Sequence, residues 1–324
     1  MTRRFACNWL LRGTLLAVVA TAVPAAAEVT AQRCDHGAVI RVDGQPFAEY
    51  WTRSGNKPIV WPIIGPTGKA MTRFWPMAEA PGEKHDHPHH RSLWFTHGSV
   101  NGISFWDEPG RKGAKPGTIG TTVHREFVKI ASGKQAEVVT RNDWIGPEGK
   151  KYLEDERRLT FGVEGKIRWI DFDIALTASN GPVRFGDTKE GSLGLRVAET
   201  MKVDAKLGGH IVNSAGLVDA KAWGTKASWV DYQGPVDGEK VGIAILNHPS
   251  SFRYPTYWHV RTYGLFAANP FGLHDFTNEK TKDGSYTLPA GQSIKLSYRL
   301  LFHTGDEREG RVAEIYAAYA KVGK

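Results

Sequence analysis

The chain has 324 residues, 41% of them hydrophobic, which is long and apolar enough to bury a sizeable core. Of its two cysteines Cys7 falls in an N-terminal leader, so Cys34 has no internal disulfide partner and stability must come from packing. The formal charge of +8 is spread without a Lys/Arg block, which argues against a nucleic-acid partner and is compatible with anionic sugars or with an ordinary lysine-bearing surface.

The N-terminus reads as an export leader. Arg3 and Arg4 precede an apolar run from Leu15 to Val23, and Ala25-Ala26-Ala27 forms a cleavage site before Glu28. The run is too short to span a bilayer comfortably, although a retained anchor is the alternative. Arg3-Arg4 leaves twin-arginine export open beside the general route. The expectation is a leader over residues 1–27 and one β-sandwich domain over 28–324. The mature protein would be periplasmic or secreted, without a membrane span.

The first notable segment is His85-Asp86-His87-Pro88-His89-His90-Arg91-Ser92-Leu93-Trp94-Phe95-Thr96-His97-Gly98, with five of the chain's 12 histidines. Imidazole titrates nearest neutrality and is the commonest metal ligand, so the stretch reads as a site. In an extended chain His85, His87 and His89 point one way, and Asp86 and His90 the other. Pro88 breaks a regular strand, which predicts a loop leading into a strand over Ser92–Thr96. There Leu93 and Phe95 take one face, and Ser92, Trp94 and Thr96 the other. Three readings follow: a metal-free acid/base site, a polar structural network, or a zinc, copper or iron site on His87, His89 and His97.

Further along, strands are predicted over Ala136–Ile145 and Lys151–Val163, joined through Gly146-Pro147-Glu148-Gly149, and over Lys166–Ala178. A strand over Ser192–Glu199 puts Glu190, Ser192, Gly194, Arg196 and Ala198 on one face, and Leu193, Leu195 and Val197 on the core face. Small residues between Glu190 and Arg196 leave room for a ligand. Glu190 suits a general acid or base, and Arg196 a carboxylate or sugar oxygen; a solvated ion pair is the plainer alternative. Trp223, Trp229 and Tyr232 fall in a loop-rich stretch, followed by a strand over Val241–Asn247. A strand over Tyr257–Ala267 places Tyr257, His259, Arg261 and Tyr263 on one side, where aromatic faces stack on sugars and polar tips bind hydroxyls. Asn269 and His274 in the next loop are candidates to close the pocket or to cap their own backbone. A last strand covers Ser293–His303. Thr304-Gly305-Asp306-Glu307 then offers a capping box to a helix with Val312, Ile315, Tyr316 and Tyr319 on its apolar stripe, packed against the end of the sandwich. Many strands separated by turns, and no repeat, predict an all-β fold with two large stacked sheets.

His87-Pro88-His89-His90-Arg91-Ser92-Leu93-Trp94-Phe95, His97-Gly98, Asn101-Gly102 and Phe105-Trp106 resemble an exported family of unknown function labelled "methane oxygenase PmoA". Asp187-Thr188-Lys189-Glu190-Gly191, His248-Pro249, Arg253-Tyr254-Pro255-Thr256-Tyr257-Trp258-His259 and Asn269-Pro270-Phe271-Gly272 look like its other blocks. The resemblance runs from roughly Ile40 to His303. Its label does not carry over: particulate methane oxygenase is an integral membrane complex, and no spanning run is read in the mature chain. What the resemblance implies is an exported β-rich protein, often encoded near sugar-catabolic genes, with a fold similar to the galactose-mutarotase-like supersandwich. That fold hosts mutarotases, lyases and glycoside hydrolases, so it narrows substrate class more than reaction. No mutarotase catalytic motif matches residue by residue.

The sequence thus predicts a small-molecule or oligosaccharide substrate and no cofactor, with acid/base chemistry of the epimerase, lyase or hydrolase type. Glu190, His90, His97 and His259 are the catalytic candidates. Arg91, Arg196, Lys189, Tyr257, Arg261, Asn269 and His274 are the binding candidates. A metal-dependent oxygenase or hydrolase and a non-catalytic sugar-binding protein are the alternatives.

Overall fold

Alternation along the strands builds the molecule. The computed structural model describes residues 27–110, 115 and 117–324, so all of the expected leader except Ala27 lies outside the described residues. In chain order the strands begin with β1 (Val29–Cys34), β2 (Gly37–Val42), β3 (Gln45–Ser54), β4 (Lys57–Ile63), β5 (Leu93–His97) and β6 (Thr121–Ala131). They continue with β7 (Ala136–Ile145), β8 (Lys151–Glu164), β9 (Ile167–Thr177), β10 (Val183–Phe185), β11 (Gly191–Arg196) and β12 (His210–Asn213). The last are β13 (Trp229–Val236), β14 (Glu239–Asn247), β15 (Tyr257–Val260), β16 (Leu265–Asn269), β17 (Tyr286–Leu288) and β18 (Ser293–Thr304). Two short α-helices are α1 (Leu273–Thr277) and α2 (Val312–Tyr319).

The first sheet runs β1-β2-β3-β4-β5-β11-β16-β15 and the second β12-β13-β14-β18-β9-β8-β7-β6, while β10 pairs with β17 alone. The ladders between these strands are antiparallel. Leu93, Phe95, Leu193 and Leu195 of the first sheet share one core with Leu159, Phe161, Ile170 and Phe172 of the second. This is the two-sheet all-β sandwich that the spacing predicts. Its core contains an ionic inclusion. Arg157 donates twice to Asp155 at 2.8 Å, and Asn142 and Trp144 each donate to the same carboxylate at 2.7 Å. Full hydrogen bonding is what makes such a buried pair tolerable.

Four expectations change. The strand over Tyr257–Ala267 is two strands, because Gly264 (φ 101°) allows a tight turn in which its N–H bonds the Arg261 carbonyl at 2.9 Å. Trp229 and Tyr232 belong to a regular strand rather than to loop. The capping residues serve the turn before α2: Asp306 accepts from the N–H groups of Arg308 and Glu309, and left-handed Arg311 (φ 52°) separates that turn from the helix. α2 packs Val312 and Tyr319 on Trp169, Ala244, Leu246 and Leu301, so it covers the outer face of the second sheet instead of the end of the sandwich. No helix among the described residues is long and apolar enough to cross a membrane.

Candidate functional site

The outer face of the first sheet carries the site. Trp94, Gly194, Ala267 and His259 form one cross-strand row over β5, β11, β16 and β15. Glycine at 194 is required there, since a Cβ would lie 2.5 Å from Cε2 of the Trp94 indole. Trp94 and Trp106 join Ile59, Leu265 and Ala267 in a small apolar cluster on this face. Arg196 projects beside it, fully buried.

The histidine loop folds over this platform, and Arg73 fixes its shape. The buried Arg73 guanidinium donates to the carbonyls of Asp86 and His87 at 3.0 Å and to the Asp86 carboxylate at 2.5 Å. His87 is left-handed (φ 43°), and the His90 N–H closes back onto its carbonyl at 2.9 Å. The rings then stack in series. His90 lies 5.4 Å from Trp94, His87 lies 4.7 Å from His90, and Tyr263 lies 5.3 Å from His87, all nearly parallel. His89 meets His90 edge-on at 4.3 Å. Arg196 ties the stack to the sheet, donating to Asp86 Oδ1 at 3.1 Å and to His90 Nδ1 at 3.3 Å, with its guanidinium over the Tyr263 ring.

Opposite, the 187–190 loop is pinned by its own contacts. Asp187 accepts from the backbone N–H groups of His274 and Gly284 and pairs with the His274 ring at 2.7 Å. Asn269 donates to the Thr188 carbonyl, Asp275 accepts the Lys189 N–H, and His259 Nδ1 donates to the Lys189 carbonyl. The Gly98 N–H holds the Glu190 carbonyl at 2.6 Å. Glu190 is thereby presented half-buried beside Lys189, 3.8 Å away.

The electrostatics are uneven. Burial raises the Asp86 carboxyl, but Arg196 and Arg73 more than offset this and hold it below the usual carboxylate range. Burial, then the charges of His89 and Arg196, push His90 well below neutrality. Its Nδ1 accepts from Arg196, so the proton of the neutral ring is on Nε2. Burial raises Tyr263, and the charges of Glu190 and Asp86 both act on its hydroxyl, opposed by Arg196 and Arg261. Burial lowers His97 and His259 to about 4 each.

Arg196 and His90 therefore gather at Asp86, with the Tyr263 ring under both Arg196 and Arg261; Glu190 stands beside Lys189, and His259 lies one hydrogen bond behind Lys189. Other candidates are placed elsewhere. Arg91 is engaged by a bidentate pair with Glu108 at 2.6 and 2.8 Å and by Ser54, next to buried Lys57. His97 is buried against Phe185 and Phe271, donating from Nε2 to the Gly186 carbonyl. Asn269 and His274 hold the 187–190 loop. Tyr257 stacks on Phe276 and lines a separate hollow of about 310 Å³ with Lys226, Arg253 and Asp283. The imidazoles that cluster are His87, His89 and His90, with one ring nitrogen of each within 4.8 Å of the others; His97 is replaced by His90 in that group. Sequence reasoning put Tyr263 on a sugar-stacking face and gave no role to Asp86 or Arg73. A carboxylate flanked by histidines was the available signal for Asp86; nothing local marks Arg73.

Fold and site together define a two-sheet antiparallel β-sandwich with a polar and aromatic cluster on one outer face. A profile of the family of unknown function DUF6807 matches residues 37–317, and the chain belongs to that family. No curated protein matches it in sequence. Among solved structures it is similar to a galactose mutarotase related enzyme from Lactobacillus acidophilus, at 11% identity and a TM-score of 0.29, over 85% of this chain and 95% of that one.

Proposed function

We propose that this face binds a sugar and transfers protons on it, with Asp86, Glu190 and the Tyr263 hydroxyl as the groups that act on it. The observation that carries the reading is that Arg73 and Arg196 both donate to Asp86 Oδ1, while the same Arg196 guanidinium lies over the Tyr263 ring and Glu190 stands half-buried beside Lys189. Two carboxylates in unlike environments divide naturally into acid and base. Asp86, kept ionised, is the base or the stabiliser of developing positive charge. Glu190, beside one lysine and partly buried, is the residue that exchanges a proton, and Tyr263 donates its hydroxyl hydrogen. The rings of His87 and Tyr263 supply a stacking wall for the C–H face of a sugar. Epimerisation, elimination and hydrolysis all use such a pair. His90, His97, His259, Asn269, His274 and Arg73 serve as positioning residues in this reading. The expected leader would put the chemistry outside the cytoplasm.

The test is NMR of anomeric and ring protons over a panel of aldoses, uronates and their glycosides. Glu190→Gln and Asp86→Asn are each expected to lower turnover about 100-fold or more with the fold retained by circular dichroism. Wild-type rates in both variants would overturn the assignment, and binding without turnover in the parent would leave a sugar-binding protein.

The clustering of His87, His89 and His90 favours a second reading, a zinc, copper or iron site. Against it, a metal would join two guanidiniums, and at His90 it would have to displace either the Nε2 proton or the Arg196 contact. Elemental analysis of untagged protein decides: a stoichiometric metal lost in His87→Ala would establish it.

A further inference from the structure

Resting on the sugar-site reading, we infer that the ligand is an acidic sugar whose carboxylate is held at the Arg261–Lys189 rim above Arg196. The cleft is short of negative charge. Arg73, Arg196, Lys189 and Arg261 converge on it, against Asp86 and Glu190. Asp275 lies behind the Lys189 backbone and His274, and Glu199, which also acts on Arg196, is paired with Lys202; counting Asp275 and that pair still leaves a positive excess.

The deficit is greatest where water is scarcest. Arg73 and Arg196 are both fully buried, and both donate to the same oxygen, Oδ1 of Asp86. Arg73 completes its bonding with carbonyls, whereas Nε of Arg196 is buried with no hydrogen-bond partner among the described residues. A buried guanidinium sharing half a counter-ion is costly, and an anion in the cleft relieves it. Direct contact falls to the rim. Arg261 is exposed, and its guanidinium is steadied over the Trp223 and Tyr263 rings at 5.4 and 5.9 Å. Its planar fork suits a carboxylate, and Lys189 adds a second cation. The neutral Nε2–H of His90 adds a donor beneath. A neutral sugar would leave this excess unmatched.

The test is calorimetry and thermal unfolding of the full chain with methyl β-D-glucuronoside, methyl β-D-glucoside and malonate. The glucuronoside is expected to bind at least tenfold tighter than the glucoside. That preference is expected to vanish in Arg261→Ala/Lys189→Ala and to shrink at 0.5 M salt. Equal or tighter binding of the glucoside would overturn the inference while keeping the sugar site. Malonate stabilising the parent but not the double variant, with neither glycoside bound, would retain an anion site and overturn the sugar reading. No response to either anion would overturn the inference outright.

Discussion

His97 and His259 are held neutral by burial, each lowered to about 4, and this has a direct consequence for stability. The unfolded chain takes up their protons near 6.5 while the folded chain refuses them until about 4, so stability falls as pH falls through that window. Each contributes a loss of about 2 kcal/mol between pH 6.5 and 5, above the range in which ordinary carboxylates titrate. His303 works in the opposite sense. Burial lowers it, Asp231 more than offsets that, and its folded pKa is raised, so it gains stability as pH falls from 7 through 6.5 and offsets part of the loss that the two buried histidines produce. Urea unfolding at pH 7 and pH 5 should show the loss, reduced in His97→Gln; unchanged stability would contradict it. At this scale part of the site was legible. Strand period two holds for Arg196 on β11, whereas the chain bends at Lys189 and Glu190, so Glu190 owes its place to the contacts of the 187–190 loop. Arg91 is turned away from this cluster: with His87 (φ 43°) and Ser92 (φ 52°) left-handed, Arg91 pairs with Glu108 while His90 turns to Arg196.

The cleft depends on how β5 leaves the sheet at Gly98. A Cβ there would lie 2.7 Å from Glu190 Cβ and 2.8 Å from the Glu190 carbonyl oxygen, and the Gly98 N–H is that carbonyl's donor. Gly98→Ala must therefore move the 187–190 loop rather than a flexible side-chain tip. We expect a fall in kcat of about 10- to 100-fold with a smaller change in unfolding midpoint, because a displacement near 1 Å is enough to misplace a catalytic group. Steady-state kinetics beside thermal unfolding checks this, and a variant with unaltered kcat would remove Gly98 from the account. Element boundaries were legible where pairing is regular: Ala136–Ile145 is found as predicted. The strands from β1 to β4, and β6, escaped notice. In several of them β-bulges shift the register, at Ile40/Arg41 on β2, at Ala48/Tyr50 on β3 and at His124/Glu126 on β6, and the alternation is lost.

For the whole molecule, the sandwich turns one large sheet into a support. Its inner face is spent on the core, its outer face carries the aromatic and arginine platform, and the loops before β5 and β11 would furnish Asp86 and Glu190 to the proposed chemistry. Two-sheet architecture was readable from the number and spacing of strands. The meeting of residues 73, 86, 190 and 263 was not, because it follows from the order β5-β11-β16-β15, which no local pattern encodes. That meeting is the central claim, and amide chemical-shift mapping during titration with methyl β-D-glucuronoside tests it most directly. The shifts should concentrate at Asp86, His87, Gly98, Glu190, Arg261 and Tyr263. Shifts gathered instead around Lys226, Tyr257 and Asp283, or on the outer face of the second sheet, would contradict it.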